Sequence, residues 1–310
     1  MLNEPLVSII MNCYNGERFL REAIDSVVSQ TYSNWEIIFW DNASIDNSYV
    51  IAKSYGLKVR CFRAGHNTSL GEARVKAVEQ ATGDWLAFLD VDDVWLPRKL
   101  ELQLDGLATG DYLLSYGGIN EVDKELNVVR ELRPRWKSGL QLRSQLLYFE
   151  INLVTSMVDR KKLLQLGLNF DPSMQASEEY NLYMRLLPHG AVYVCDDIIA
   201  LYRVHGESLT YQKIDRLALE RRLTLSALEA SAPLVSNMDE FVIATRQADY
   251  YEACALMHKK YFSAARALII KHTLSPLFAG LYALTFIPSL WRFCHNPLVK
   301  KRLSTLLGLN

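Results

Sequence analysis

The chain has few features that would hold a small or extracellular domain together covalently. Its five cysteines, Cys13, Cys61, Cys195, Cys254 and Cys294, are odd in number, widely spaced and form no C-x-x-C pair. That pattern argues against a disulfide framework and a thiolate zinc site, and it suits a reducing compartment. An excess of one charge is missing as well: 34 basic residues stand against 35 acidic ones, a formal net charge of -1. No nucleic-acid partner is expected from such a balance. Long apolar runs are absent too. The most apolar stretch, residues 276–291, is interrupted by Pro288 and falls short of the roughly 20 residues that a spanning helix needs. Met1-Leu2-Asn3-Glu4-Pro5 has neither a basic n-region nor an apolar h-region, so no signal peptide is expected. No repeat or low-complexity tract stands out.

What is present is a large apolar fraction, 50% of 310 residues, enough for a full core and an appendage. Val7-Ser8-Ile9-Ile10-Met11 reads as a strand that ends in the polar turn Asn12-Cys13-Tyr14-Asn15-Gly16. Phe19, Leu20, Ala23, Ile24, Val27 and Val28 then share one helical face. Trp35-Glu36-Ile37-Ile38-Phe39-Trp40 reads as a second strand ending in Asp41-Asn42-Ala43-Ser44, with Asp46 placed to cap the next helix. Residues 58–62 read as a third strand and 70–81 as a helix with Ala73, Ala77, Val78 and Ala81 inward. Gly83-Asp84-Trp85-Leu86-Ala87-Phe88-Leu89 is a fourth strand, and it ends abruptly in Asp90-Val91-Asp92-Asp93.

This alternation predicts an α/β fold with a mostly parallel sheet covered by helices. Polar residues recur at successive strand ends: Asn12 and Tyr14, then Asp41 and Asn42, then Asp90, Asp92 and Asp93. Such ends converge on one edge of a parallel sheet, where open α/β folds bind ligands. Three carboxylates within four positions repel one another unless a cation joins them, and a hard divalent ion bridging to a phosphate does so. Helix capping ahead of Leu96-Pro97 would also use acids, but the convergence of strand ends favours a metal and diphosphate site.

Four stretches together carry a resemblance: residues 7–16; Ser29-Gln30-Thr31-Tyr32; Trp40-Asp41-Asn42-Ala43-Ser44-Ile45-Asp46; and residues 83–93. In their order and spacing they resemble the family 2 glycosyltransferases of the GT-A fold, over roughly the first 200 residues. The resemblance implies a Rossmann-like sheet followed here by a helical C-terminal extension. It places Asn12 and Tyr14 along the nucleotide and Asp41-Asn42 at the base. Many relatives carry two Asp at the latter pair; Asn42 donates as well as accepts, which leaves the base open, with a pyrimidine and hence a UDP-sugar as first choice. Arg74 resembles the family's Arg near the diphosphate, against the ordinary reading of a solvated helix residue. Asp90, in the D-x-D-like stretch, goes with the ribose and nucleotide sugar, and Asp92 and Asp93 go with a Mn²⁺ or Mg²⁺.

In the second half, residues 97–107, 139–148 and 160–166 read as helices, and 112–116, 127–132, 152–158, 192–194 and 198–204 as strands. Ser177-Glu178-Glu179 opens a further helix, with Ser177 as cap and the acids suited to the helix dipole. By the resemblance, Glu179 is the general base, with Glu178 as the other candidate. Tyr202-Arg203-Val204-His205 resembles the segment that closes many catalytic domains of the family, where the His completes the metal shell or touches the diphosphate. Residues 1–210 are then the catalytic domain and 211–310 a helical region. Within it, 276–302 is read as an interfacial membrane-association segment, the alternative being a helix packed on the domain.

The expected activity is an inverting, metal-assisted transfer of a sugar from a nucleotide-diphosphate sugar to a glycan or lipid-linked acceptor in surface polysaccharide assembly. The expected location is cytoplasmic and peripheral, at the inner face of the membrane. A sugar-phosphate nucleotidyltransferase is the nearest alternative reaction, but the loop after the first strand offers only Gly16 and Arg18 for a triphosphate. A catalytically silent scaffold subunit is the alternative from another class.

Overall fold

A computed structural model of the chain describes residues 4–204 and 214–294. The first strand, β1 (Val7–Cys13), is buried along its whole length, as a central parallel strand must be with helices on both faces. Helix α1 (Glu17–Val28) covers one face by burying Leu20, Ala23, Ile24 and Val27. Burial contributes roughly 1.5–3 kcal/mol for each large apolar side chain among them. Strand β2 (Trp35–Asp41), helix α2 (Ser48–Lys53), β3 (Val59–Arg63), α3 (Leu70–Glu79) and β4 (Trp85–Phe88) follow in the expected alternation. β3, β2, β1 and β4 lie side by side and parallel.

Beyond β4 the sheet is mixed. A two-residue strand β5 (Val94–Trp95) and helix α4 (Lys99–Leu107) precede the long β6 (Tyr112–Val122), β7 (Val128–Leu132) and helix α5 (Leu142–Leu147). Then come β8 (Met157–Asp159), α6 (Arg160–Gln165), α7 (Glu178–Leu186) and β9 (Ala191–Arg203). The sheet order is β3-β2-β1-β4-β8-β6-β9-β5, with β7 on β6. β8 runs antiparallel between β4 and β6, β9 is parallel to β6, and β5 is antiparallel to β9.

Three expectations change. The strand expected over 152–158 shrinks to β8. Asn152 turns its side-chain oxygen onto the Val154 N–H at 3.0 Å, and the chain takes a 3-10 turn through Leu153–Thr155. The two strands expected over 192–204 are one, β9, whose pairing with β6 shifts register where Gly117 faces Cys195 and Gly118 faces Ile198. The close approach needs glycine: a Cβ on Gly117 would lie 2.7 Å from Ile199 Cδ1. β5 was not expected, because two residues carry no periodicity. It is held by pairing with β9 and by the Trp95 N–H on Ser26 Oγ at 3.1 Å.

The C-terminal helices are α8 (Ile214–Ser231), α9 (Asp239–His258), α10 (Phe262–Ile269), α11 (Pro276–Leu284) and α12 (Pro288–Cys294). They divide by what they pack on. Leu225 and Leu228 of α8 and Phe241, Ala244 and Ala248 of α9 join the core that holds Phe88, Tyr180 and Tyr183. A separate cluster gathers Ala253, Met257, Leu268, Ile269 and Trp291. The apolar stretch breaks at Pro288 into α11 and α12, and α11 buries none of its residues. Among the described residues no helix is long and apolar enough to cross a membrane.

Candidate active site

The C-terminal ends of β1, β2 and β4 open into a cleft of about 1040 Å³. The turn after β1 is built to hold a fixed shape. Asn15 adopts φ 54°, a left-handed conformation that Asn tolerates. Its side chain accepts from the Ile45 N–H at 2.9 Å, its own N–H donates to Ser44 Oγ at 2.9 Å, and the Gly16 N–H donates to Ser48 Oγ at 2.9 Å. Glu17 accepts from the Asn47 N–H at 2.9 Å while its own N–H donates to Asp46 at 3.0 Å. The turns after β1 and β2 are thereby zipped together. A Cβ on Gly16 would sit 2.7 Å from Val91 Cγ2, so glycine lets this unit press against the acidic loop.

Asn12 faces the cleft with both polar atoms of its amide buried and without a partner among the described residues. Leaving such atoms unsatisfied costs about 1–3 kcal/mol per group, so this position is set for a polar ligand. Tyr14 is 54% exposed at the same end and offers an aromatic face.

The base-contacting pair expected at 41–42 is arranged otherwise. Asp41 is fully buried; one oxygen accepts from the Ser44 N–H at 3.0 Å and the other pairs with Arg63 at 3.0 Å. Asn42 reaches the cleft wall, but its Oδ1 accepts from the Thr68 N–H and hydroxyl, at 3.2 and 3.1 Å, and its Nδ2 donates to the Thr68 carbonyl at 3.0 Å. An Asn is needed there because a carboxylate has no proton to give that carbonyl. Both side chains therefore pin loops, and Asp41 makes no wall of the cleft.

Arg74 is buried and holds two acids at once. Nη2 donates to Asp90 Oδ1 at 3.0 Å and Nε to Glu178 Oε1 at 2.9 Å. Burial alone would lower the pKa of the guanidinium, but Asp90 and Glu178 raise it above its usual value. Glu178, the other candidate base, borders the cleft as well, and its Oε1 is engaged in this ion pair. Glu179 lines the cleft, and among the described residues no side chain donates a hydrogen bond to it. Burial, with Glu178 beside it, pushes its carboxyl up to about 8. The two adjacent acids thus have different jobs because one has a cation and the other does not.

The acidic loop is also divided. Asp90, Asp92 and Asp93 all border the cleft, but they differ in burial and partners. Asp93 is 2% exposed, and its Oδ1 accepts from the Arg203 N–H at 2.8 Å. Burial, then Asp92 and Asp90, raise its pKa well above the usual carboxylate range. Through its bond to the Arg203 N–H, Asp93, expected as a metal ligand, also fastens the acidic loop to β9. Arg203 completes the fastening, with Nε on the Asp92 carbonyl at 2.7 Å, Nη2 on Glu22, and its guanidinium 4.3 Å over the Phe19 ring. In the sequence this arginine stands in Tyr202-Arg203-Val204-His205, beside the histidine expected at the metal. His205 lies outside the described residues.

Among the described residues no three His, Cys, Asp or Glu side chains converge as a metal-holding group. Asp90 and Asp92 nevertheless suit an ion of the Mg²⁺ type, which takes one or two carboxylates and completes its shell with phosphate oxygens and water.

The opposite wall carries the residues that sequence reading missed. Glu150 collects the Arg135 and Trp136 N–H groups, at 3.1 and 3.2 Å, and the Tyr116 hydroxyl at 2.6 Å. Glu220 of α8 collects the N–H groups of Gln175, Ala176 and Ser177, at 3.0, 3.0 and 2.9 Å. Glu220 thereby sets the start of α7. Ser177 makes no capping hydrogen bond, contrary to expectation, because the segment before α7 is held from outside.

The sequence matches the description of glycosyl transferase family 2 over residues 8–163, half of the chain. The chain belongs to that family. An uncharacterized glycosyltransferase of Rickettsia typhi is 31% identical over 220 residues, 69% of this chain and 68% of the relative. The Escherichia coli enzyme WfgD, a UDP-Glc:alpha-D-GlcNAc-diphosphoundecaprenol beta-1,3-glucosyltransferase, is 27% identical over 219 residues, 70% of this chain and 84% of WfgD. Staphylococcus aureus TarS in complex with UDP-GlcNAc superposes with a TM-score of 0.60 at 16% identity, over 90% of this chain and 81% of that one. The mannosyltransferase PcManGT of Pyrobaculum calidifontis, solved with GDP-Man and Mn²⁺, has a TM-score of 0.60 at 16% identity, over 97% and 83% of the two chains. These likenesses establish a GT-A fold with helices after it. The protein is a family 2 glycosyltransferase, and its cleft is the sheet-end cleft of that fold.

Proposed function

We propose that this glycosyltransferase moves a sugar from a nucleotide-diphosphate sugar, a UDP-sugar first, to a hydroxyl of a lipid-linked glycan, with inversion. The observation that carries the reading is the division of labour around Arg74. It takes Asp90 and Glu178 and leaves Glu179 in the cleft as an unpaired carboxyl of raised proton affinity. A base poised near the working pH is what proton removal from a sugar hydroxyl needs.

In this reading the acceptor O–H gives its proton to Glu179 as its oxygen attacks the anomeric carbon. Attack comes from the face opposite the nucleotide. The bond to the diphosphate breaks with its electron pair leaving on the phosphate oxygen. Asn12 and Tyr14 take the nucleoside, and Arg74 holds Asp90 in place. Asp92 and Asp90 would hold a Mn²⁺ or Mg²⁺, which neutralises charge on the leaving diphosphate when bound.

The names of WfgD and TarS support a UDP-sugar donor, and that of WfgD supports a diphospholipid-linked acceptor. A location against the inner face of the membrane fits the exposed apolar side chains of the last helices: Leu277 at 69%, Phe286 at 55% and Ile287 at 51% exposed, with Lys271 and Arg292 nearby in the chain. We place the catalytic unit at residues 1–210, buttressed by α8, and the lipid-facing segment within 276–302.

The test is Glu179→Gln. The variant should bind UDP as the parent does and lose transfer by about 100-fold to 10,000-fold. Transfer at the parental rate would remove Glu179 as the base.

A further inference from the structure

Several arginines outside the cleft are matched to acids, among them Arg60 with Glu36, Arg130 with Glu121, Arg143 with Glu240 and Arg222 with Glu252. Two arginines that line the cleft on Glu179's side are not. Among the described residues neither Arg135 nor Arg221 has a carboxylate partner. Each lies instead against an aromatic ring. The Arg135 guanidinium stands 3.9 Å from the Tyr148 ring centroid, and that of Arg221 5.1 Å from the Tyr180 centroid. The two rings belong to one shelf, because Phe149, next to Tyr148, packs edge-on against Tyr180 with centroids 4.8 Å apart. Arg135, Tyr148, Phe149 and Arg221 all line the cleft with Glu179, which precedes Tyr180 in the chain.

The nearby acids do not cancel these charges. Glu150 is taken up by two backbone N–H groups and the Tyr116 hydroxyl, Glu220 by three N–H groups, and Glu131 by Arg133 at 2.7 Å. The stacked guanidiniums are pre-oriented planar forks, the geometry that matches phosphate oxygens. The donor's diphosphate has its own place across the cleft, at Asp90, Asp92 and Arg74.

We propose that the Arg135–Tyr148–Phe149–Arg221 shelf is an anion subsite for the acceptor, taking a phosphate or diphosphate that the acceptor carries next to the sugar whose hydroxyl attacks. The aromatic faces lie under the sugar or the first chain carbons, and the two guanidiniums hold the phosphate oxygens. This rests on the glycosyltransferase reading and adds which part of the acceptor is recognised and by what. The phosphate chemistry has two sources, a lipid diphosphate or a polyol phosphate.

The test is calorimetric titration of the full chain with decyl diphosphate, with and without saturating UDP and Mg²⁺. Parent, Arg135→Gln/Arg221→Gln and Arg143→Gln are compared, the last showing what loss of a positive charge outside the cleft does on its own. Decyl diphosphate should bind the UDP-loaded parent and the Arg143→Gln protein alike, and bind the double variant at least about tenfold more weakly, since charge-assisted hydrogen bonds are lost. The UDP affinity of the double variant shows that its fold is intact. Displacement by glycerol 3-phosphate points to phosphate as such, and no displacement points to a lipid diphosphate. Equal binding in the double variant, equal binding of uncharged decyl glucoside, or decyl diphosphate excluded by UDP overturns the subsite. Failure of the parent to bind UDP counts against the donor reading instead, while the titration without UDP still decides the shelf.

Discussion

The two walls of the cleft are held by different means. On the donor wall, neighbouring turns lock side chain to backbone over short reaches: Asn15 to Ile45, Glu17 to Asn47, and Asn42 to Thr68. On the acceptor wall, two carboxylates each gather several backbone N–H groups of a loop that has no regular structure of its own. Glu150 holds 135–136 and Glu220 holds 175–177. The donor wall is a fixed mould made by a parallel sheet. The acceptor wall is a set of loops hung on two anions, and it is easier to change without disturbing the sheet. A fold that keeps one kind of donor and varies its acceptor needs that asymmetry.

The largest effect should follow from breaking the ion pairs that Arg74 makes between the walls. Arg74→Met leaves Glu178 buried, beside a part-exposed Asp90, with no cation. Removing one member of a buried pair costs about 3–5 kcal/mol. Chemical denaturation should show that loss. Transfer should fall with it, because a freed Glu178 competes with Glu179 for the proton. Glu178→Gln/Arg74→Met should recover much of the stability, since it removes the stranded anion.

The next effect is on pH. Glu179 has its carboxyl raised from 4.5 to about 8 by burial and by Glu178. Below that value it holds a proton and cannot accept one. Transfer should therefore climb about tenfold per pH unit up to about 8 and then level. Stability moves the other way. Between 4.5 and about 8 the folded state keeps a proton that the unfolded chain releases, so Glu179's contribution is full at low pH and is lost as pH rises through about 8. In Glu179→Gln both slopes should vanish, and a retained stability slope would assign it to another group.

The donor wall was largely legible in the sequence, and the reason is local. Strand ends, polar turns and the Asp90-Val91-Asp92-Asp93 step each occupy a few consecutive residues, and parallel pairing brings them together. What was not legible there is which neighbouring groups a side chain meets. Asp41, Asn42 and Asp93 have the right chemistry for ligands, yet the loops claim them, because only packing decides between a ligand and the nearest unpaired N–H. Arg74 was singled out by the family resemblance, but its two acid partners come from distant segments that the sequence does not bring together. The acceptor wall was not legible. Arg135 meets Tyr148, and Glu220 meets Ser177, through tertiary packing that no periodicity encodes.

Glu220→Gln tests the looser wall with the smallest effect. Glutamine keeps the shape and one acceptor oxygen but loses the charge that makes these three N–H bonds strong, and it loses the pairing with Arg216 at 3.2 Å. A hydrogen bond to a charged acceptor contributes about 1.5–3 kcal/mol, and a neutral one about half as much. With three such bonds weakened, the expected loss of stability is about 2–4 kcal/mol. The informative readout is the split between the walls. Glu220 touches no residue of the donor wall; it fixes the start of α7, which carries Glu179. UDP affinity should stay at the parental value while kcat for transfer falls, because the base is then held by a frayed first turn. Equal losses in UDP affinity and transfer would mean that the walls move as one body, and the distinction between a rigid donor mould and a hung acceptor wall would fail.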